Sequence, residues 1–127
     1  EFGKGTNIEI REYIDNMDIC LPACDLVISR AGASSLSEIQ ALAKPSILIP
    51  SPNVAENHQY HNAMTLAENG GAILIEEKDL AEKKIADIVL DLKNNREKLN
   101  EISAKCGEKA KLNALSEICR IITSLNQ

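Results

Sequence analysis

Aromatic side chains are scarce in this 127-residue chain, which has two Tyr, one Phe and no Trp. Stacking platforms for bases or sugar rings therefore have almost no residues to form them. The 14 Lys and Arg residues are outnumbered by 19 Asp and Glu residues, for a formal net charge of −5. A non-specific nucleic-acid binder neutralises phosphates with an excess of Lys and Arg, so no nucleic-acid partner is expected.

Paired cysteines and long apolar runs are also absent from the sequence. The four cysteines include no C-x-x-C pair and have no zinc-finger spacing to His58 or His61. Neither a disulfide scaffold nor a structural zinc site is therefore expected. No segment is typical of a signal peptide or approaches the length of a membrane span. A hydrophobic content of 44% at this length predicts one globular domain.

Four short apolar runs alternate with helical patterns along the chain. The runs cover residues 7–10, 25–29, 46–50 and 72–75, and most are apolar on both faces, as in strands that helices cover from both sides. Helical apolar stripes occupy 36–43, 58–68 and a long charged region from residue 80 that ends in one helix or a pair of helices. This order predicts an α/β fold with a parallel sheet and flanking helices.

The loop from Arg30 to Glu38 follows the second run and leads into a helix. Ligands of such sheets bind beyond the carboxyl ends of the strands. The loop's small residues allow a ligand to come close to the backbone, and the N–H groups of the helix's first turn attract an anion. Ser34 and Ser35 add hydroxyl donors. One interpretation of the loop is therefore a binding site for a phosphate or diphosphate. A plain connection is the other. Ser35-x-x-Glu38 also has the pattern of a capping box, which the pattern alone favours for Glu38.

A second loop, residues 51–62, places two histidines and several amides at a helix start. His58 and His61 could share a metal, or one could act as a general base. Hydrogen bonding by Gln59 and Asn62 is at least as well supported, and a polar helix cap is the simplest interpretation. No Asp-x-Asp pair suggests a metal-bound diphosphate, so helix N–H groups and hydroxyls would have to stabilise charge on a departing diphosphate.

A third loop, residues 13–17, follows the first run. Asp15 or Asn16 can cap a helix there. Alternatively, the backbone around Ile14 lines an apolar slot for a flat ring.

In their order and spacing, the segments 13–17, 25–38, 44–50 and 58–63 resemble the MurG family of bacterial N-acetylglucosaminyltransferases, from about Ile8 to the end of the chain. The family transfers GlcNAc from UDP-GlcNAc to undecaprenyl-diphospho-muramoylpentapeptide, converting lipid I to lipid II in peptidoglycan synthesis. Its GT-B architecture has two Rossmann-like domains with a cleft between them. The resemblance implies that residues 1–127 are the C-terminal half of the donor-binding domain, without the N-terminal acceptor domain. The opening Glu1-Phe2, typical of a cloning remnant, agrees with an excised piece.

The resemblance also implies which residues contact the donor nucleotide. The backbone at Ile14 would contact uracil. The helix start that binds the diphosphate would be Ala33, Ser34 and Ser35, followed by a turn at Leu36 and Ser37. The resemblance assigns Glu38 to the ribose hydroxyls, in place of a capping role.

The sugar contact that the resemblance implies falls on Gln59, with His58 beside it as a weaker candidate. His61 receives no role. No catalytic residue, metal or cofactor is expected within these residues, because the family's glycine-rich loops and catalytic base belong to regions outside them.

The reaction implied is an inverting displacement at the anomeric carbon, with UDP leaving. UDP-GlcNAc would be the donor, and lipid I would bind through the missing domain, so the chain alone is expected to be inactive. The parent would work at the cytoplasmic face of the bacterial membrane, whereas the chain itself would be soluble. An uncovered sheet edge would favour self-association.

Two other interpretations remain open from the sequence. One is a self-standing, non-catalytic UDP-GlcNAc-binding subunit of a two-component GlcNAc transferase. The other is a non-hydrolysing sugar-nucleotide epimerase, which residues 30–33 and 58–63 fit less well. Two positions depart from the family pattern: Ser35 stands where Thr is common, and Ala43 stands where Gly usually precedes Lys-Pro. If residue 43 is left-handed, Ala costs about 1 kcal/mol there.

Overall fold

The structure, a computed structural model, describes residues 9–12, 15–53, 58–80 and 85–125. Three strands form one parallel sheet in sequence order: β1 (Val27–Ser29), β2 (Ser46–Leu48) and β3 (Ile73–Leu74). The helices are α1 (Met17–Ala23), α2 (Ala33–Ala41), α3 (His58–Glu68), α4 (Ile85–Lys93) and α5 (Arg96–Leu125), and a 3₁₀ turn, Glu77–Asp79, follows β3. The predicted α/β class, with a parallel sheet and flanking helices, is confirmed.

The central strand β2 is fully buried and organises two layers. Ser46, Ile47 and Leu48 expose no surface. Successive residues of a strand point to opposite faces of the sheet. Leu48 therefore belongs to the cluster made by α2 and α3, whereas Ile73, the partner of Ile47, packs on the cluster made by α4 and α5.

Each cluster contains apolar positions of the expected helical stripes. Leu42, part of the stripe expected over 36–43, is 41% exposed instead, because α2 ends at Ala41 and Leu42 is its C-cap. On one face, Leu36 and Ile39 of α2 pack with Ala63 and Leu66 of α3. The other face has a cluster of Leu92, Leu99 and Ile102. The two faces share α5, because Cys106 joins the first cluster. Burial raises the pKa of the Cys106 thiol, which therefore packs as a neutral side chain.

Three of the four expected strands are present, each shorter than its apolar run. Of the expected run 7–10, residues 7 and 8 lie outside the described residues, and Glu9 and Ile10 are irregular. The final region forms one continuous helix, α5. Its apolar stripe is not buried along the whole helix, since Ile118 and Ile122 are 52% and 54% exposed. At 1.5 Å per residue, α2 and α4, with nine residues each, are too short to cover a 30-residue helix.

Strand β1 lies at the edge of the described sheet, and its Ile28 is 48% exposed. Self-association through this edge stays a prediction. None of the helices in the described ranges combines the length and apolar character needed to cross a bilayer.

A lysine after α2 joins two parts of the chain that are distant in sequence. The Lys44 ammonium donates hydrogen bonds to the carbonyls of Pro22 (2.7 Å) and Cys24 (2.8 Å). These carbonyls lie at the C-terminal end of α1, where backbone acceptors lack helical partners. Lys44 therefore fixes α1 against the turn that leads into β2.

The turn after α2 is a Schellman motif with alanine at its left-handed position. Lys44 N–H donates to Ile39 O (3.0 Å) and Ala43 N–H donates to Gln40 O (3.1 Å), the pair of bonds that defines the motif. Ala43 has φ 52°, so residue 43 is left-handed and the cost of placing alanine there applies. Helix α3 ends in the same way, but with Gly70 (φ 81°) at the corresponding position.

Helix α5 packs directly on this turn. The Ser103 hydroxyl donates to Ala43 O at 2.6 Å. A Cβ built on Gly107 would lie 3.1 Å from the Cβ of Ala43, closer than ordinary van der Waals contact. Gly107 therefore makes room for the alanine that stands at a glycine position.

We expect Ala43→Gly to raise the free energy of unfolding by about 0.5–1 kcal/mol, because the left-handed strain of alanine exceeds the unfolded-state entropy that glycine adds. Urea unfolding measures the change. The matched control is Ala41→Gly at the last residue of α2, where the same substitution should lower stability by a few tenths to about 1 kcal/mol. Equal effects at both positions would contradict the assignment of strain to residue 43.

We expect Gly107→Ala to be more favourable in the Ala43→Gly background than in the wild type, by about 0.5 kcal/mol, because the close Cβ–Cβ approach is then removed. A double-mutant cycle in urea measures this coupling. Additive effects would show that α5 and the turn adjust independently.

Candidate functional site

The carboxyl ends of β1, β2 and β3 lie at one edge of the sheet, because the strands are parallel and in register. Three connections leave from this edge: residues 30–32 lead into α2, residues 49–57 lead into α3, and residues 75–76 lead into the 3₁₀ turn. Most of the residues expected to bind a ligand lie on the first two connections or on the helices that they enter. Their grouping follows from strand pairing.

The first turn of α2 has an open N-terminal end. Gly32 is the N-cap (φ −66°, ψ 149°), and no side chain of the described residues caps the helix there. The first helical bond runs from Leu36 N–H to Gly32 O (3.0 Å). The N–H groups of Ala33, Ser34 and Ser35 precede that bond and have no acceptor inside the helix. Together with the helix dipole, these donors form a favourable environment for an anion.

Gly32 itself is not required by the protein's own packing. Its φ is negative, and a Cβ built there meets nothing within 4 Å. The backbone is therefore open to approach from outside, as a loop that cradles a ligand must be.

The capping-box interpretation of Ser35 and Glu38 is wrong. A capping box needs Ser at the N-cap, but the N-cap is Gly32 and Ser35 is the third residue of the helix. The helix already starts at Ala33, two residues after the buried Ala31, which makes Gly32 the N-cap instead of Ser35. Glu38 is exposed, and within the described part of the chain no hydrogen bond or ion pair involves its carboxylate.

Ser34 and Glu38 lie one turn apart on the same exposed side of α2. Ser37 is exposed beside them, whereas the Leu36 side chain is 7% exposed and packs in the core. The N–H of Leu36 is already bonded to Gly32. Leu36 can therefore support the site through packing in the core, but it has no free N–H group with which to bind a ligand.

A cleft of about 240 Å³ separates α2 from α3. Polar groups from both helices line it, including Ser37 and Gln40 from α2 and Asn62 and Thr65 from α3. Ala33 and the core residues Leu36 and Leu66 complete its walls. The cleft continues the first turn of α2 toward α3.

Gln59 lies in the first turn of α3 and braces the loop after β2. Its Oε1 accepts the N–H of Ser51 at 3.1 Å. This bond fixes the orientation of the carboxamide, and with it the direction in which the NH₂ donor points. The expected polar role of Gln59 therefore includes a bond within the protein that the sequence pattern did not indicate.

The two histidines of α3 do not form a metal centre in the described residues. No group of three or more His, Cys, Asp or Glu suited to a metal occurs in ranges 9–12, 15–53, 58–80 and 85–125. His58 and His61 are both exposed. The His61 ring packs edge-to-face on Tyr60, with centroids 5.8 Å apart.

The third expected contact, at Ile14, lies outside the described residues. The neighbouring Asn16 occupies the N-cap of α1, and its carbonyl accepts the N–H groups of Ile19 (2.9 Å) and Cys20 (3.0 Å). Its Oδ1 accepts a bond from Arg11 at 2.9 Å. A hydrogen bond from Arg11 also holds the pKa of the Glu9 carboxyl below its usual range.

Arg30 has a role that the sequence did not reveal. Its Nη1 lies 3.4 Å from the carbonyls of Ile49 and Pro50, and its Nη2 lies 2.7 Å from Glu77 Oε1. A basic residue directly after a strand was the only signal in the sequence. The partners could not be foreseen, since they lie 19 to 47 residues away.

A model of the glycosyltransferase family 28 C-terminal domain matches residues 1–118. The UDP-N-acetylglucosamine–N-acetylmuramyl-(pentapeptide) pyrophosphoryl-undecaprenol N-acetylglucosamine transferase of Desulforamulus reducens is 43% identical over 119 residues, covering 94% of this chain and 32% of that protein. The transferase of the same name from Carboxydothermus hydrogenoformans is 40% identical, covering 93% of the chain and 32% of that protein. The chain thus spans about a third of the length of these curated relatives.

The fold is similar to the crystal structure of MurG from Acinetobacter baumannii, with a TM-score of 0.75 and 26% sequence identity. The match covers 92% of this chain and 35% of that chain. The sheet, the helices and their order therefore agree with a domain of known architecture.

We expect Glu38→Gln to change the free energy of unfolding by less than about 0.5 kcal/mol, because the exposed carboxylate caps nothing. Urea unfolding checks this value. A loss of about 1 kcal/mol or more, the usual effect of removing a cap, would restore the structural interpretation of Glu38.

Proposed function

The chain belongs to glycosyltransferase family 28, of which it carries the C-terminal domain, and from this premise we propose that it binds the donor nucleotide of an inverting glycosyltransferase. The donor would be UDP-GlcNAc, and the acceptor would be undecaprenyl-diphospho-muramoylpentapeptide, giving lipid II from lipid I in peptidoglycan synthesis. The relatives' names describe transfer of N-acetylglucosamine to such an acceptor. A GT-B C-terminal domain is the matching fold.

The observation that carries the proposal is the uncapped first turn of α2 at the carboxyl edge of the sheet. The N–H groups of Ala33, Ser34 and Ser35, with the two hydroxyls, would hold the diphosphate. When the bond to the anomeric carbon breaks, negative charge develops on the departing UDP. Oriented N–H donors stabilise that charge without reorganising, so the helix start would contribute to catalysis by holding the leaving group.

Glu38 would receive the ribose hydroxyls in this arrangement. Its carboxylate is exposed and without a protein partner in the described residues, and it lies one helical turn, about 5–6 Å, beyond Ser34. The ribose is the group next to the diphosphate in a nucleotide, so this spacing suits the two contacts. A carboxylate accepts two hydroxyl hydrogen bonds readily.

The sugar would lie toward the start of α3. Gln59 would donate from its oriented NH₂ group to a sugar oxygen, with the exposed His58 beside it. Ser37 and the cleft between α2 and α3 would border the same end. Uracil would be held by the backbone near Ile14.

The residues that bind the acceptor and remove the proton from its hydroxyl would belong to the part of the relatives that this chain does not span. Because the acceptor named for the relatives carries an undecaprenyl chain, the reaction that we propose takes place at a membrane surface. A self-standing, non-catalytic binding subunit would use the same nucleotide contacts, so a binding experiment tests the step that both interpretations share.

We expect UDP to shift the amide resonances of Ser34, Ser35 and Glu38 saturably in a heteronuclear NMR titration of the chain. Wild type should prefer UDP over 2′-deoxy-UDP, and Glu38→Gln should remove that preference, with a loss of about tenfold in UDP affinity. The matched control is Glu68→Gln at the C-terminal end of α3, far from Gln59 along that helix. This variant should leave the affinities for UDP and for 2′-deoxy-UDP unchanged.

Shifts confined to other parts of the chain, or none at millimolar UDP, would contradict the proposed binding by this domain. A preference for UDP that persists in Glu38→Gln would contradict only the role of Glu38.

A further inference from the structure

Arg30 connects the ends of all three strands. It directly follows β1, its Nη1 reaches the carbonyls of Ile49 and Pro50 just after β2, and its Nη2 pairs with Glu77 just after β3. A guanidinium presents donors in a rigid planar fork, so it can hold several acceptors in a defined arrangement. One side chain therefore spans the whole edge at which the connections leave the sheet.

Arg30 is also covalently close to the first turn of α2. The next residue, Ala31, is fully buried, and Gly32 is the N-cap of the helix. Because Ala31 is held in the core, a displacement of the Arg30 backbone would be transmitted to the helix start rather than absorbed in a loose loop.

The contacts of Arg30 also lead, through the loop after β2, to α3. Pro50, whose carbonyl lies near the guanidinium, precedes Ser51, and the Ser51 N–H donates to Gln59 Oε1. The path from Glu77 through Arg30 and the loop after β2 thus ends at the carboxamide of Gln59.

The pair of Arg30 and Glu77 contributes little as a stability device. The two side chains are 53% and 35% exposed, and ion pairs that are exposed to this extent contribute little to stability because solvent screens them. An Arg–carboxylate bond of 2.7 Å still restricts the geometry of the pair, because charge-assisted bonds are short and directional. The arrangement is therefore better suited to setting distances than to holding the fold together.

We propose that Arg30 is a positioning residue that sets the distance between the diphosphate end of the donor site, on α2, and its sugar end, at Gln59 on α3, and that Glu77 holds Arg30 in place. This inference rests on the proposed function. UDP alone occupies only the α2 end, whereas UDP-GlcNAc spans both ends. If the two ends of the site are at the wrong distance, the sugar therefore contributes less to the affinity for UDP-GlcNAc, whereas the contribution of the nucleotide is largely unchanged.

The experiment compares the affinities of the chain for UDP and for UDP-GlcNAc by NMR titration. The variants are Arg30→Met, which keeps an unbranched stem, Glu77→Gln, and the double variant. The matched control is Glu76→Gln, which removes the neighbouring carboxylate; that group pairs with Lys78 (3.6 Å) instead of Arg30.

In the wild type we expect UDP-GlcNAc to bind more tightly than UDP. In Arg30→Met and in Glu77→Gln the ratio of the two affinities should fall by about three- to tenfold, with UDP affinity changed less than about twofold. The double variant should be no worse than Arg30→Met, because Glu77 acts only through Arg30. Glu76→Gln should keep the wild-type ratio.

Equal losses for UDP and UDP-GlcNAc in the variants would show a general structural role and overturn the positioning inference, as would an unchanged ratio. Neither result would affect the proposed nucleotide site, since the wild type would still bind UDP. An absence of UDP binding in the wild type would overturn both proposals.

Discussion

The parallel pairing of three strands around the buried β2 is the constraint on which the rest of the structure depends. Because Ser46, Ile47 and Leu48 expose no surface, both faces of the sheet must be covered, and helices α2 to α5 cover them. Parallel pairing brings every strand's carboxyl end to one edge. The first turn of α2, the brace at Gln59 and the link through Arg30 are all consequences of that shared edge.

The two ends of helix α2 differ in whether the protein satisfies their backbone hydrogen-bonding groups. At the C-terminal end, a Schellman motif and the Ser103 hydroxyl satisfy the carbonyls within the protein. At the N-terminal end, no side chain of the described residues takes up the donors. Since unsatisfied backbone donors are costly only when they are buried, an open N-terminus is tolerated at the surface and is available to an anion. The asymmetry makes one helix both a structural support and a candidate binding element.

Much of the fold could be predicted because its signals are local. Helix α3 has the bounds of its apolar pattern, and the strands lie inside their β-branched runs. The place of a glycine in the family pattern raised the question of a left-handed residue at Ala43, and the structure shows that conformation. The exposure of Ile118 and Ile122 near the end of α5 could not be predicted, because periodicity shows which positions share a face but not whether another element reaches that face.

The sequence by itself determined the α/β class, the order of the elements and the loops that carry the candidate site, because helix and strand periodicity act over a few residues. Only the tertiary structure decided that Glu38 caps nothing, that Gln59 holds Ser51 and that Arg30 meets Glu77. The reason is distance along the chain: Arg30 and Glu77 are 47 residues apart. No local pattern encodes their contact, which exists only after β1, β2 and β3 have paired and brought their ends to one edge.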